Sequence, residues 1–475
     1  MLDRLDRAVG DRVADGFCSH HRRRLRNLGS DVLDAPAGGW AADAAAPSDG
    51  NRLSVLIDGQ QYLAALREAL EGAESHVYLA GWFLSPDFQL AHDPPLTARD
   101  LLAGLAQRLR LRVLLWAGSP APFYHPSRRD VRAVRDALGA AGVEHCALDS
   151  YERPLHCHHE KVVVIDDRVA FVGGIDLTEF SGNRLDSNAH PARAALGWHD
   201  VATRIEGPAA ADVARHFAMR WRAVNGERLA EPAACEPQGE TTVQVVRTLP
   251  ERIYPDDRRG QFGILESYLR AFRSAERLIY LESQYLWSPE LAEVLAERLR
   301  NPPGDDFRVV VVLPARPKGG GDDTRGMLGL LLEADGGRGQ LLACSLYARA
   351  GRTQDPIYVH AKVGIIDDRW LTVGSANLND HSLFNDSEMN VVSHDSELAR
   401  DTRLRLWSEH LELPASEIDG DPTEVIDGVW RPLAERERAN LEHGRPLTHR
   451  LVQLPHVSRR SDRLLGPLQA LLVDG

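Results

Sequence analysis

His159-Glu160-Lys161-Val162-Val163-Val164-Ile165-Asp166 recurs in form as His360-Ala361-Lys362-Val363-Gly364-Ile365-Ile366-Asp367. Each copy sets a Lys two positions after a His and an Asp five positions after that Lys. After the same interval each continues into a small-residue run, Gly173-Gly174-Ile175-Asp176 and Gly374-Ser375-Ala376-Asn377. Chance would have to reproduce every spacing twice, so the pair reads as a duplicated active-site element.

The run Val162 to Ile165 is β-branched throughout and too short for a helix, which predicts a buried strand. Asp166-Asp167-Arg168 supplies turn chemistry, and Val169 to Val172 returns as a second strand. The second copy repeats this with Val363 to Ile366, Asp367-Asp368-Arg369, and Trp370 to Val373. On a strand, positions two apart share a face, so each His points the same way as its Lys. An imidazole beside an ammonium is a poor structural pair but a good phosphate site. The Lys offers a point charge to phosphoryl oxygens; the His can attack phosphorus or protonate a leaving oxygen. Two such pairs meeting across a pseudo-twofold axis supply a nucleophile, an acid and two cations. The small residues of each run, Gly174 and Ser375 among them, are expected to let backbone N–H groups approach the anion.

These stretches resemble the HxK(x)4D signature of the phospholipase D superfamily, phosphatidylcholine-type branch. Ile279-Tyr280-Leu281-Glu282-Ser283-Gln284-Tyr285, Gly81-Trp82-Phe83-Leu84-Ser85-Pro86, Gly173 to Leu177, and Trp198-His199-Asp200 are similar to further blocks of that family. So are Gly374-Ser375-Ala376-Asn377-Leu378-Asn379, Ser382 and Asp386-Ser387-Glu388. The resemblance implies a two-lobed α/β fold of pseudo-twofold symmetry, each lobe a β-sheet core flanked by helices, with one active site between the lobes. It implies His159 as nucleophile, forming a phosphohistidine, and His360 as acid and then base. Lys161, Lys362 and Asn377 would hold nonbridging oxygens, while Asp200 and Glu388 would orient the imidazoles. Asp166 and Asp367 belong to the motif, and their place beside a turn suggests that they brace backbone. The sequence departs from the pattern twice. Asp176 stands where many members have Asn, and is expected to face away from phosphate or bond to backbone; His381 precedes Ser382 where Arg is usual.

The implied reaction converts glycerophospholipids to phosphatidate and a headgroup alcohol, with water or another alcohol as acceptor, at a membrane surface and without a cofactor or metal. A cardiolipin synthase-type phosphatidyltransferase, a nuclease on the same site, and a binding protein that has lost turnover are the other readings. Lys and Arg number 56 against 69 Asp and Glu, a net charge of −13, which weighs against broad nucleic-acid affinity. The five cysteines are odd in number and scattered without a CxxC, which fits a reducing compartment rather than a disulfide framework. No apolar stretch approaches the ~20 residues of a membrane span, and the start lacks a signal-peptide core. The expectation is a cytoplasmic monomer that docks transiently on membranes; missing spans count against cardiolipin synthase.

The repeat extends beyond the motif. Helices are expected over Tyr62 to Ala73 and Phe262 to Ala275, strands over His76 to Ala80, Leu278 to Leu281, Arg112 to Trp116 and Arg308 to Leu313, and closing helices over Ala211 to Arg222 and Arg400 to Leu411. The histidines stand roughly 200 residues apart, one domain length. This predicts an N-terminal extension over 1–50, a first lobe over 51–230, a second over 241–413 and a C-terminal extension over 414–475, wrapped on the surface. Gly226 to Thr241 has linker composition, and Ala35 to Gly39 and Ala44 to Gly50 read as loop. His156-Cys157-His158-His159 invites a zinc reading, but adjacent strand residues diverge and no second ligand pair is nearby in sequence. Pro317 to Asp323 reads as a loop in which Lys318 could meet a headgroup. His20 to Arg26, with Arg459, Arg460 and Arg463, reads as a solvated face or a contact for anionic lipid. Trp82, Phe83 and Trp287 read as core, with an acyl groove as the alternative.

Overall fold

The two aspartates that close each motif determine its hairpin. Asp166 and Asp167 both take left-handed backbone, φ 53° and 56°, as do Asp367 and Asp368 at 53° and 51°. Two consecutive left-handed residues give the turn whose twist matches a β-hairpin, and Asp tolerates that region better than most residues. The turns are closed by Arg168 N donating to Ile165 O and Arg369 N to Ile366 O. They join Val162–Ile165 to Val169–Gly173, and Val363–Ile366 to Trp370–Gly374.

The computed structural model describes residues 2–120, 125–150, 156–190, 197–316 and 321–455. Around each hairpin stands a mixed sheet. In the first half, Cys146–Asp149, Arg110–Trp116 and His76–Gly81 run parallel; the hairpin strands, Val201–Glu206 and Ser48–Ile57 follow antiparallel. The second half repeats the order with Leu341–Ala350, Arg308–Val312 and Leu278–Glu282 parallel, then the hairpin, Glu388–Ser393 and Thr241–Leu249 antiparallel. The register repeats too: Val77 lies opposite Ile165, and Ile279 opposite Ile366. Ser48 and Asn51 also pair with Val243 and Thr241, so the two sheets are joined at those strands.

Helices cover both faces because the strands are apolar on both faces. Leu63, Leu66 and Leu70 of Asp58–Glu71 pack on Val77, Leu79 and Val163. On the opposite face, Phe217 and Trp221 of Ala210–Asn225 pack on Tyr78, Ala80 and Val164. The second half does the same with Gly263–Ser274 and Pro289–Arg300 on one face and Ser396–Leu411 on the other. Residues 226–240 carry neither helix nor strand. Trp82, Phe83 and Trp287 are buried, which makes them core rather than an open groove.

Both chain ends depart from expectation. Leu2–Leu28 is a helix, and its basic run is only partly a solvated face. His21 is buried, bonded to Glu290 at 2.8 Å and stacked on Phe384; Arg24 pairs with Glu251 at 2.6 Å and donates to Phe384 O. Leu25 beside them enters the second half's core, and this apolar anchor pulls its cationic neighbours onto protein rather than lipid. Arg22, Arg23 and Arg26 remain exposed. Nor is the region after Pro414 merely wrapped on the surface. Ile418, Ile426, Trp430 and Leu451 are buried, and Leu451–Gln453 adds a strand beside Leu341–Ala350. Ser48 to Gly50 begin a strand instead of continuing a loop, and Gly321 to Asp323 open a helix. Lys318, Arg459, Arg460 and Arg463 lie outside the described residues.

Each motif aspartate also reaches back across its sheet. Asp166 accepts from the backbone N–H groups of Glu74, Ser75 and His76, and Asp367 from those of Glu276, Arg277 and Leu278, all at 2.7–2.9 Å. These carboxylates therefore cap the start of the central parallel strand. Asp166→Ala and Asp367→Ala are each expected to lower stability by about 2 kcal/mol, partial exposure discounting three charge-assisted bonds. Urea denaturation of the two variants measures this; a midpoint within error of wild type would rule the brace out.

Candidate active site

The motif residues His159 and Lys161 lie just before the hairpin strand, not within it, and there they touch the other half of the molecule. His159 N and Glu160 N donate to Ser387 O at 2.9 and 3.1 Å; His360 N and Ala361 N donate to His199 O at 2.8 and 3.1 Å. Ser387 N in turn donates to Cys157 O, and His199 N to Tyr358 O. Each motif segment is thus clamped to the segment of the opposite half that carries an acid. His159 Nδ1 meets Glu388 Oε1 at 2.9 Å, and His360 Nδ1 meets Asp200 Oδ2 at 2.7 Å. The exchange is reciprocal. A ring whose Nδ1 is held by a carboxylate presents Nε2 for chemistry, with its tautomer fixed.

The acids are held in turn. Asp200 accepts from Asn183 Nδ2 at 2.9 Å and from Val201 N, while Glu388 accepts from Ser382 Oγ at 2.6 Å and from Ser375 Oγ. Gly174 occupies the position equivalent to Ser375, and a Cβ there would come within 2.2 Å of Asp200 Oδ1. The small residues therefore serve the orienting acids rather than an anion. Gly174 N and Ser375 N already donate to Val201 O and Met389 O, so the expected backbone cradle for phosphate is not available from them. Sequence reasoning missed Asn183, and it read Gln284 and Ser382 only as members of a block.

The lysines are buried beside their histidines. Lys161 Nζ donates to His159 O at 2.5 Å and Lys362 Nζ to His360 O. Lys362 and Asn377 Nδ2 both face Gln284 Oε1 at 3.4 Å. On the other side Lys161 faces Asp176 Oδ2 at 3.3 Å. Asp176 thus does not face away; it bonds to backbone at Trp82 and Phe83 and also sits on the Lys161 ammonium. Burial holds its carboxyl up at about 6 despite Lys161.

The two His–acid couples differ electrostatically. Burial and then Lys362 press His360 down to about 3, and Lys161 adds to the effect, which places both ammonium groups near that ring. Burial works to raise Asp200, but His360 and Lys362 outweigh it and the net shift is downward. Glu388 is pushed by burial up to about 8 in spite of Lys161, Ser375 and Ser382. An anion entering between the ammoniums would offset their share of the downward shift on His360. Trp198 lies against the His360 ring, centroids 4.6 Å apart, and so limits water on that side. Buried charge chains lie next to Asp200 and to His159: Asp58 and Glu282 bracket His199, and Glu160 pairs with Arg220 and His216.

A family profile described as cardiolipin synthase, PLD-like domain matches residues 268–408. Phospholipase D A of Dictyostelium discoideum is 26% identical over 76% of this chain and 36% of its own length. Phospholipase D zeta 2 of Arabidopsis thaliana is 23% identical over 83% and 57%, and phospholipase D2 of Bos taurus 24% identical over 74% and 50%. The chain thus spans between about a third and three fifths of the length of these relatives. A crystal structure of phosphatidylserine synthase from Haemophilus influenzae superimposes with TM-score 0.52 at 14% identity, covering 81% of this chain and 89% of that one, a likeness of fold. The chain is thus similar to proteins of the phospholipase D superfamily over most of its length, and to the family profile over residues 268–408.

Asp176 competes with any bound anion for Lys161 only while ionised, that is, above pH 6. Asp176→Asn is expected to tighten inorganic phosphate binding about threefold to tenfold at pH 8, roughly 1 kcal/mol. The gain should vanish at pH 5, where the wild-type carboxyl is protonated. Calorimetric titration at both pH values checks this; equal or weaker binding by the variant at pH 8 would count against it.

Proposed function

We propose that this chain is a phosphodiesterase of the phospholipase D type, hydrolysing glycerophospholipids to phosphatidate and a headgroup alcohol, or passing the phosphatidyl group to another alcohol. The observation that carries this reading is the reciprocal pairing His159–Glu388 and His360–Asp200, with an ammonium on the carbonyl of each motif histidine.

The reaction proceeds in two displacements. His159 Nε2 attacks phosphorus and forms a P–N bond while the P–O bond to the headgroup breaks. His360, charged once the substrate anion offsets Lys161 and Lys362, gives its proton to the leaving oxygen. Water or an alcohol then attacks; His360 takes its proton, the P–N bond breaks, and phosphatidate or a new phosphatidyl ester leaves with His159 restored. Lys161, Lys362 and Asn377 hold the nonbridging oxygens as charge builds, a contribution of about 3 kcal/mol for one well-placed donor.

The curated relatives span 74–83% of the chain, both halves included, and that supports the phospholipase reading over the cardiolipin synthase description, which matches 268–408 alone. A lipid surface as the place of action is supported by Phe180, 49% exposed on the loop after Asp176 and packed against Phe83. No helix among the described residues is long and apolar enough to cross a membrane, so docking would be peripheral. The net charge of −13 favours lipid over nucleic acid.

The test is incubation with mixed phospholipid vesicles and ethanol, with products resolved by mass. Phosphatidate and phosphatidylethanol are expected; plasmid nicking with intact lipid would replace this reading by a nuclease. His159→Asn should take turnover to background, and His360→Asn should lower it about 10³-fold, each with an unchanged melting profile.

A further inference from the structure

The fold brings together a group of donors that the reaction does not use. His156 lies ahead of the first motif, His381 begins the π-turn His381–Asn385 of the second half, and Asp386 ends that turn. One ligand atom from each lies within 4.8 Å of the others, and His156 Nδ1 is 3.6 Å from Asp386 Oδ1. The sequence offered no second ligand pair beside His156; tertiary structure supplies one from the far half.

His381 is 3% exposed and Asp386 is fully buried. Asp386 Oδ1 accepts from Cys157 N at 2.8 Å, but Asp386 Oδ2 and both ring nitrogens of His381 lack a hydrogen-bond partner among the described residues. Groups of this kind are costly to bury unpaired. Two imidazoles and a carboxylate form the N/O set that zinc-class ions prefer, while magnesium and calcium favour oxygen alone. Tetrahedral ligation at about 2 Å needs donor atoms roughly 3.3 Å apart, a small inward adjustment from the present spacing. His156, 20% exposed, leaves a path for entry and for a water as fourth ligand.

Another His–carboxylate group lacks this character. At Asp58, His190, His199 and Glu409, the ring nitrogens already meet oxygen: His190 meets Gly197 O and Asp58, and His199 meets Asp58 and Glu282. That cluster is satisfied by its own protons.

We propose that His156, His381 and Asp386 form a site for one divalent transition-metal ion of the zinc class, which staples the two halves together beside the His159–Glu388 couple. Asp386 precedes Ser387, whose carbonyl holds the His159 backbone, and Glu388, which holds its ring. The ion would fix that segment against His156 without touching the reacting phosphorus.

The test uses the full untagged chain, stripped with chelator, reloaded with Zn2+ and passed through gel filtration. One zinc per chain by elemental analysis is expected, together with a rise in melting temperature of about 3 °C or more at saturating ion. His381→Arg places a cation opposite Asp386 but cannot ligate, and should weaken zinc binding at least about tenfold, as should Asp386→Asn. His190→Asn should leave binding intact. The proposal fails if the wild type retains no zinc, if His381→Arg and Asp386→Asn retain it undiminished, or if His190→Asn alone removes it.

Discussion

Each motif imidazole is oriented by a carboxylate that belongs to the other half of the chain. This exchange is the constraint on which the arrangement depends. Four backbone bonds fix the motif segments against Ser387 O and His199 O, and the ring–acid contacts at 2.9 and 2.7 Å complete the clasp. Neither half alone holds an oriented ring. Beneath the clasp run buried ionic chains, Glu282–His199–Asp58 and His216–Glu160–Arg220. Buried ion pairs add little net stability once desolvation is counted, but breaking one leaves an uncompensated charge. Their effect here is to fix the position of the residues on either side of the catalytic groups.

The pseudo-twofold repeats the strand order of the two sheets and is broken in chemistry. Asp200 faces Gly174, whereas Glu388 faces Ser375. Lys161 faces the carboxylate of Asp176, while Lys362 faces the amide of Gln284. One acid is pressed down and the other pushed up by burial. A duplicated scaffold therefore presents two unlike imidazoles, which is what a mechanism with one nucleophile and one proton carrier requires. The π-turn beginning at His381 lies at the edge of this asymmetry, close to the longer acid.

Much of the fold was legible because the repeated signals were local. β-Branched runs, paired aspartates at tight turns and apolar helix faces read out directly, and the strands came within a residue or two of their positions. The errors fell where distant packing decided. Leu25 anchors a helix whose basic face looked solvated, and Trp430 enters a core its Pro- and Glu-rich surroundings did not announce. Gly174 and Ser375 looked like anion-binding backbone, yet their N–H groups are spent on neighbouring strands.

By itself the sequence determined the chemistry on offer and its duplication: two imidazoles, two ammoniums, two turn aspartates and the strands that carry them, since these depend on spacing along the chain. It could not say that Asp176 sits on Lys161, that Asp166 and Asp367 cap strands some ninety residues away, or that His156 meets His381 and Asp386. Those are relations between segments far apart in the chain. Strand pairing within each sheet makes the first two and the joining of the two halves makes the third, because side-chain electrostatics acts over a few ångströms of space and not along the polypeptide.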